Sequence, residues 1–237
     1  MLLNEKVALV TGGTKGIGLG IAEALIKSGI RTAITGRNSE TVYSAAAHLN
    51  AQWPGMALGL VSDVRSYESE VNTIHQIIAH WGRLDILIAN AGLGHFGSIE
   101  NISHTQWNET IDINLTGVFN SVKASVEEIK KNQGYIFTIA SLAGTNFFKG
   151  GTAYNASKFG LVGFTQALML DLREHGVKVS TIMPGSVTSY FAGHVPDEND
   201  GWKIQPEDIG QLVVDLLKMN PRALPSKIEI RPTQPPK

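Results

Sequence analysis

The sequence predicts an α/β fold in which a parallel sheet of about seven strands is covered by helices on both faces. Three observations carry this prediction. Short apolar runs alternate with longer amphipathic segments from one end of the chain to the other. The fourth run, residues 84–90 (LDILIAN), is almost wholly apolar, as a strand buried on both faces must be. Glycines crowd the first strand-to-helix connection, at residues 11–18.

The elements follow in order. Residues 6–11 (KVALVT) read as a buried strand. The next segment places Ile17, Ile21, Ala24 and Leu25 on one helical face and closes at Ser28-Gly29. A second strand spans 31–36, followed by a helix over 40–50, and a third spans 56–62, followed by a helix over 67–81. After the fourth strand a long helix carries Trp107, Ile111, Leu115, Val118, Phe119 and Val122. Residues 134–141 are strand five, 153–174 another long helix and 177–183 strand six. Beyond Pro184 the texture changes: seven of nine prolines lie at or after Pro196, and residues 187–205 show no clear period. Pro206-Glu207-Asp208 then opens a last helix, with proline in its first turn and acids at its positive end. Residues 227–230 are the candidate seventh strand, and the Pro-rich tail reads as extended. No repeat or linker breaks the pattern, so residues 1–237 read as a single domain.

Composition narrows the function. A hydrophobic content of 43% supports a substantial core and excludes wholesale disorder. Lys+Arg 20 against Asp+Glu 21 leaves a net charge of −1, so no nucleic-acid partner is expected. Cysteine is absent, which removes disulfides, a thiolate nucleophile and zinc–thiolate sites. The seven histidines show no ligand-like spacing, so no metal is expected; His95 and His194 fall in loops that could border the site, with surface placement the favoured reading. The first residues lack a signal-peptide pattern, and no run approaches the ~18 apolar residues of a membrane span. The expectation is a cytoplasmic protein without a membrane partner.

Thr11-Gly12-Gly13-Thr14-Lys15-Gly16-Ile17-Gly18 sits where the first strand feeds the first helix. Glycines there permit a tight turn and close approach of a pyrophosphate, to which the helix N-terminus offers free N–H groups. A glycine cluster alone is weak, but this one opens the first β-α-β unit of an alternating chain, the context of a dinucleotide site. The fold is therefore expected to be doubly wound and Rossmann-type.

Other segments converge on the same sheet edge. Asn90-Ala91-Gly92 ends strand four and Ser141 ends strand five, at the carboxyl edge where open α/β sheets bind ligands. In Tyr154-Asn155-Ala156-Ser157-Lys158 the i, i+4 spacing puts Tyr154 and Lys158 one turn apart on one helical face. Singly, Tyr154 reads as well as a core tyrosine, Lys158 as a solvated lysine, Ser141 as a cap and Asn114 as plain helix surface. In this order, with the glycine turn and Pro184-Gly185, the set resembles the short-chain dehydrogenase/reductase family in its short single-domain form. The likeness covers essentially the whole chain. It implies that Tyr154 is the general acid/base for interconverting a carbonyl and a secondary alcohol, that Lys158 lowers its pKa and holds the nicotinamide ribose, and that Ser141 hydrogen-bonds the substrate oxygen. Asn114 would anchor a water in a proton relay to the lysine. The same likeness assigns Ile17 to the pyrophosphate, Asp63-Val64 to the adenine, Asn90-Ala91-Gly92 to the adjacent ribose, and Pro184-Gly185 with Val187 and Thr188 to the nicotinamide.

NAD-preferring folds place an acid about 20 residues past the glycine turn. Here that stretch is Ile34-Thr35-Gly36-Arg37-Asn38, with no acid until Glu40. Arg37 can pair with a 2′-phosphate and Lys15 adds a second cation, so NADP(H) is the expected cofactor, with NAD(H) second. Residues 186–205 form the expected substrate lid, with an apolar mouth from Leu142, Phe147, Phe148, Tyr190, Phe191 and Trp202. The nearest subgroup is the 3-oxoacyl-ACP reductases, the alternative reading. It is thinly supported by Lys149 and Lys130-Lys131 as a carrier-protein patch, and the tail 225–232 (PSKIEIRP) lacks that subgroup's glycine pair. A non-catalytic NADP(H) sensor on the same fold is the reading from a different class. The two long helices carry more apolar side chains than one sheet face covers, and with the likeness this implies a homotetramer, or failing that a homodimer.

Overall fold

Strand β1 (Val7–Val10) shows how the sheet is built: Val7 and Leu9 enter one core, Ala8 and Val10 the other, and all four are fully buried. Side chains alternate along a strand, so only helices on both faces can bury every residue of such a run. The computed structural model describes residues 3–234. Beside β1 lie β2 (Arg31–Gly36), β3 (Ala57–Val61), β4 (Ile86–Ala89), β5 (Tyr135–Ile139), β6 (Lys178–Pro184) and β7 (Lys227–Ile230). They form one parallel sheet in the order β3-β2-β1-β4-β5-β6-β7. Helices α1 (Gly16–Lys27) and α2 (Ser39–Gln52) cover one face together with the last helix, Pro206–Lys218. The other face is covered by α3 (Tyr67–Trp81) and by Gly117–Lys131 and Thr152–Leu172. With α4 (His104–Ile111) counted, these three further helices are α5 (Gly117–Lys131), α6 (Thr152–Leu172) and α7 (Pro206–Lys218).

The chain runs outward from β1 through β2 to β3, then crosses back to place β4 on the other side of β1. Such a reversal opens a crevice at the carboxyl ends of β1 and β4. The glycine turn leaves β1 there, with Gly12 at φ +63, a conformation L side chains rarely adopt. Gly18 is needed for a different reason: a Cβ on it would collide with the Gly12 carbonyl and lie 2.5 Å from Asn90 Nδ2.

Three expectations change. The single long helix over 104–131 is interrupted by a wider π turn at Asp112–Thr116, which separates α4 from α5. The cause is Asn114, whose amide is drawn out of the helix to bond the backbone of Leu93. Trp107 and Phe119, assigned to that helix's apolar stripe, are 39% and 49% exposed, so the stripe is only partly spent on the sheet. The aperiodic stretch after Pro184 holds two short 3-10 turns, Phe191–Gly193 and Glu198–Trp202, and is stapled at its base by Thr188 N–H donating to Ile204 C=O. Met1-Leu2 and the last three residues of the Pro-rich tail lie outside the described residues.

Candidate active site

A cleft of about 550 Å³ opens at the β1/β4 crevice. The glycine turn forms one wall through Gly12, Thr14, Lys15, Gly16, Ile17 and Gly18. Arg37, Asp63 and Val64 border one end, Asn90, Ala91 and Gly92 the middle, and Ser141, Tyr154, Lys158, Pro184, Gly185 and Val187 the other end. Thr188 is the exception among the expected cofactor contacts: its hydroxyl is taken up by Gln205 Nε2 (3.0 Å) and the Asp200 carbonyl (3.3 Å), and Ser189 stands on the cleft wall beside it. Elongated shape, a helix N-terminus at mid-length and a cation at one rim suit a dinucleotide.

Tyr154 and Lys158 project from the first turns of α6, where the i, i+4 spacing keeps them together; Lys158 Nζ lies 5.7 Å from the Tyr154 ring centre. Lys158 is buried and donates to the Ile139 carbonyl at the end of β5 (3.0 Å), leaving its other protons for a ligand. Burial lowers its pKa to about 8. Ser141 follows β5, and its Oγ accepts from Ala143 N–H (3.1 Å), so its own proton can be turned toward the cleft. Asn155 braces this loop by donating to the carbonyls of Ala143 (2.7 Å) and Asn146 (2.8 Å), a positioning role the sequence reading missed.

The Tyr154 phenol is buried in the cleft wall. Burial pushes its pKa up to about 12, and among the protein's own groups only a hydrogen bond with Ser141 works the other way. The resting pair is therefore a neutral phenol beside a cation below about pH 8.

Asn114 is fully buried and does not line the cleft. Its Oδ1 accepts from Leu93 N–H (2.9 Å), and its Nδ2 donates to Leu93 C=O (2.8 Å) and Ser157 Oγ (3.0 Å). A Cβ placed on Gly92 would lie 3.3 Å from Asn114 Oδ1 and 3.8 Å from Lys158 Nζ, so Gly92 separates the asparagine from the lysine. At the opposite end, Asp63 is held by Arg65 Nε (3.0 Å to each carboxylate oxygen), which keeps its pKa below the usual carboxylate range. Arg37 is exposed at the rim and makes no ion pair among the described residues. Lys15 Nζ sits 5.3 Å above the Tyr190 ring.

One further group, Phe96, was not among the candidates the sequence offers. Phe96 meets the Tyr154 ring edge-on at 5.4 Å and the Phe191 ring at 6.2 Å, so it roofs the phenol together with the lid. Its signal was its place, just beyond Asn90-Ala91-Gly92 on the same edge. His194, expected on the surface, is on the cleft wall and bonds buried Asp200 (2.6 Å), which Lys203 also engages. His95 bonds Glu109 (2.9 Å). Lys130 and Lys131 end α5 at the amino edge of the sheet, opposite the cleft, and bond Glu127 and Glu128; helices run antiparallel to the strands here, so that pair cannot flank the entrance. Among the described residues there is no group of three or more His, Asp or Glu side chains able to hold a metal, and no helix long and apolar enough to cross a membrane.

Sheet order, glycine turn and a tyrosine–lysine–serine cluster at the carboxyl edge define a Rossmann-type dinucleotide-binding domain with acid–base machinery built into it. Residues 6–200 match the family model described as short chain dehydrogenase, and the chain belongs to that family of oxidoreductases. It is 35% identical to a 3-oxoacyl-[acyl-carrier-protein] reductase of Buchnera aphidicola, over 81% of this chain and 77% of that protein. It is also 35% identical to a trans-4-hydroxycyclohexanecarboxylate dehydrogenase of Sinomonas cyclohexanicum, over 77% and 73%. Among solved structures, an alcohol dehydrogenase of Thermococcus sibiricus complexed with 5-hydroxy-NADP superposes with a TM-score of 0.91 at 27% identity, covering 98% of this chain and 99% of that one. A metagenomic short-chain oxidoreductase in complex with NADP gives 0.86 at 31% identity, covering 99% and 100%.

Proposed function

We propose that the protein is an NADP(H)-dependent oxidoreductase that interconverts a small carbonyl compound and its secondary alcohol. The observation that carries this is the meeting of Tyr154, Lys158 and Ser141 on the wall of the cleft that the glycine turn opens. When bound, the nicotinamide would supply or accept the hydride. Ser141 would donate to the substrate oxygen and steady its growing charge. Tyr154, a neutral phenol at rest, would give that oxygen its proton during reduction and take it back during oxidation. Lys158 would hold a ribose hydroxyl with its unspent donors and stabilise the phenolate. Asn114 would fix Gly92 and Leu93 against that lysine, and residues 186–205 would close over the substrate with Phe191 and Phe96 as the roof.

Arg37 and Lys15 would take the 2′-phosphate of NADP(H); two of the similar solved proteins hold NADP or 5-hydroxy-NADP, which supports the choice. The single domain, the cytoplasmic setting and a homotetramer, with a dimer as second choice, belong to the same proposal. Assembly is supported by Phe119 on α5, half exposed and packed edge-on against Phe164 of α6 at 6.4 Å. The acyl-carrier reading draws on relatives of that name, but Lys130-Lys131 lies at the wrong edge to receive a carrier protein. Steady-state oxidation of NADPH and NADH against a ketone panel tests the proposal. NADPH turnover in preference to NADH supports it; equal use of both removes the cofactor assignment, and no turnover of any ketone removes the activity.

A further inference from the structure

The last strand brings an arginine, ion-paired to Glu229, to the reaction site. β7 runs parallel to β6, pairing Ile230 with Pro184, and Gly185 N–H donates to the Ile230 carbonyl (2.8 Å). Parallel pairing delivers the residue after Ile230, Arg231, to the carboxyl edge where Ser141 and Tyr154 stand. There Arg231 lines a second, open hollow of about 590 Å³ whose floor includes Ser141 and Tyr154. The walls are mostly apolar, with Leu142, Phe147, Phe148, Trp202 and Pro232, and carry Asn146 and Ser186 as neutral polar groups. Phe147 is stacked on Phe159 at 5.0 Å, which holds that ring as a flat wall. Among the described lining residues, Arg231 carries the only charge.

We propose that Arg231 is a specificity-determining residue that binds the carboxylate of the substrate, and that the substrate is a ring-bearing keto acid, or the matching hydroxy acid. The inference rests on the oxidoreductase reading above. A mostly apolar hollow with acid–base groups at its floor and one cation at its rim fits a molecule with a carbonyl at one end, a flat apolar body and an anion at the other. The guanidinium is the right kind of cation, since its planar fork meets both oxygens of a carboxylate. It is also held in place: Arg231 Nη2 donates to Glu229 Oε2 (2.8 Å), and Glu229 accepts in turn from Thr145 Oγ1 (3.4 Å) in the loop after Ser141. That contact commits one of the five guanidinium N–H donors and leaves the rest to a ligand. The Arg231 side chain is 56% exposed, so the contact is one that salt will screen.

The test compares 4-acetylbenzoate with its methyl ester, ketones that differ at the far end in charge and by one methyl group, with NADPH as reductant. Wild-type protein is expected to favour the acid by about tenfold in kcat/KM, mainly through KM, and to lose most of that preference in high salt. Arg231→Gln should remove the preference while leaving ester turnover and NADPH binding unchanged, and Arg231→Lys should restore part of it. Equal kcat/KM for acid and ester in wild type, or a preference that survives in Arg231→Gln, would overturn the proposal while ester turnover leaves the oxidoreductase reading standing. A higher kcat/KM for acetoacetyl-coenzyme A than for the acid would overturn it in favour of a thioester substrate. Failure to reduce either ketone or any other carbonyl, with NADPH bound, would remove the parent reading and this one with it.

Discussion

Replacing Asn114 by alanine separates a structural clamp from a bystander. The change removes three hydrogen bonds of 2.8–3.0 Å from a fully buried site. Ser157 Oγ keeps its bond to the Tyr154 carbonyl (2.8 Å), so it is not stranded. The Leu93 N–H and C=O are, and a buried polar group left unpaired costs ~1–3 kcal/mol. Leu93 is partly exposed, so water recovers some of this and the total should be about 3 kcal/mol. For a domain of this size that corresponds to a fall in Tm of ~6–12 °C. Loss of the clamp also frees the loop that carries Gly92 past Lys158, and a misplacement of about 1 Å can cost ~100-fold in rate, so kcat should fall between ~10- and ~100-fold. Thermal melts with and without NADPH, and kcat at saturating cofactor, provide the readings. A melt within ~2 °C of wild type together with undiminished kcat would refute the clamp and leave the buried Asn114 bonds without a measurable role.

Arg37→Asp should weaken NADPH binding by loss of a charge-assisted contact and by repulsion, while leaving NADH use unchanged or improved; Kd values from fluorescence titration check it. Glu70, buried and bonded to Ser62 Oγ (2.6 Å), has its pKa raised by burial above the ordinary 4.5. The folded state therefore binds the proton more tightly than the unfolded chain, and stability should decline as pH rises from about 4.5 through the raised folded value. Glu70→Gln should flatten that decline in urea titrations across pH; an unaltered slope would contradict it. Light scattering should return a multiple of the 25.5 kDa chain, and Phe119→Arg should lower it to the monomer or dimer; a wild-type monomer would exclude the assembly.

What was legible in the sequence was whatever depends on local spacing. The strand 84–90 announced itself by having no polar face, and α3 was bounded correctly because Ser66 caps its start and Gly82 closes it in the left-handed conformation. The glycine turn and the Tyr154–Lys158 pair are likewise local, and the structure brings both to the expected edge. The rest required contacts between residues far apart. The π turn at Asp112–Thr116 exists because Asn114 reaches back to Leu93, and no periodicity within the helix reports that bond. Arg231 acquires its place only through the pairing of β7 with β6. His194 is tied to Asp200, which is buried beside Lys203 in a segment without any period, and no local spacing reports that bond. The burial of the Tyr154 ring is of the same kind: the sequence shows the cation nearby but not the rings of Phe96 and Phe191 that pack against it.

The most direct test of the central claim is the single-turnover rate of NADPH oxidation by Tyr154→Phe against wild type, on one ketone that wild type reduces. The variant keeps the ring, its edge-on contact with Phe96 and the cleft wall, and loses only the hydroxyl. NADPH is expected to bind with unchanged affinity and the hydride-transfer rate to drop at least ~100-fold, the loss typical of a missing general acid. A variant that binds NADPH and retains more than about a tenth of the wild-type rate would contradict Tyr154 as the proton donor.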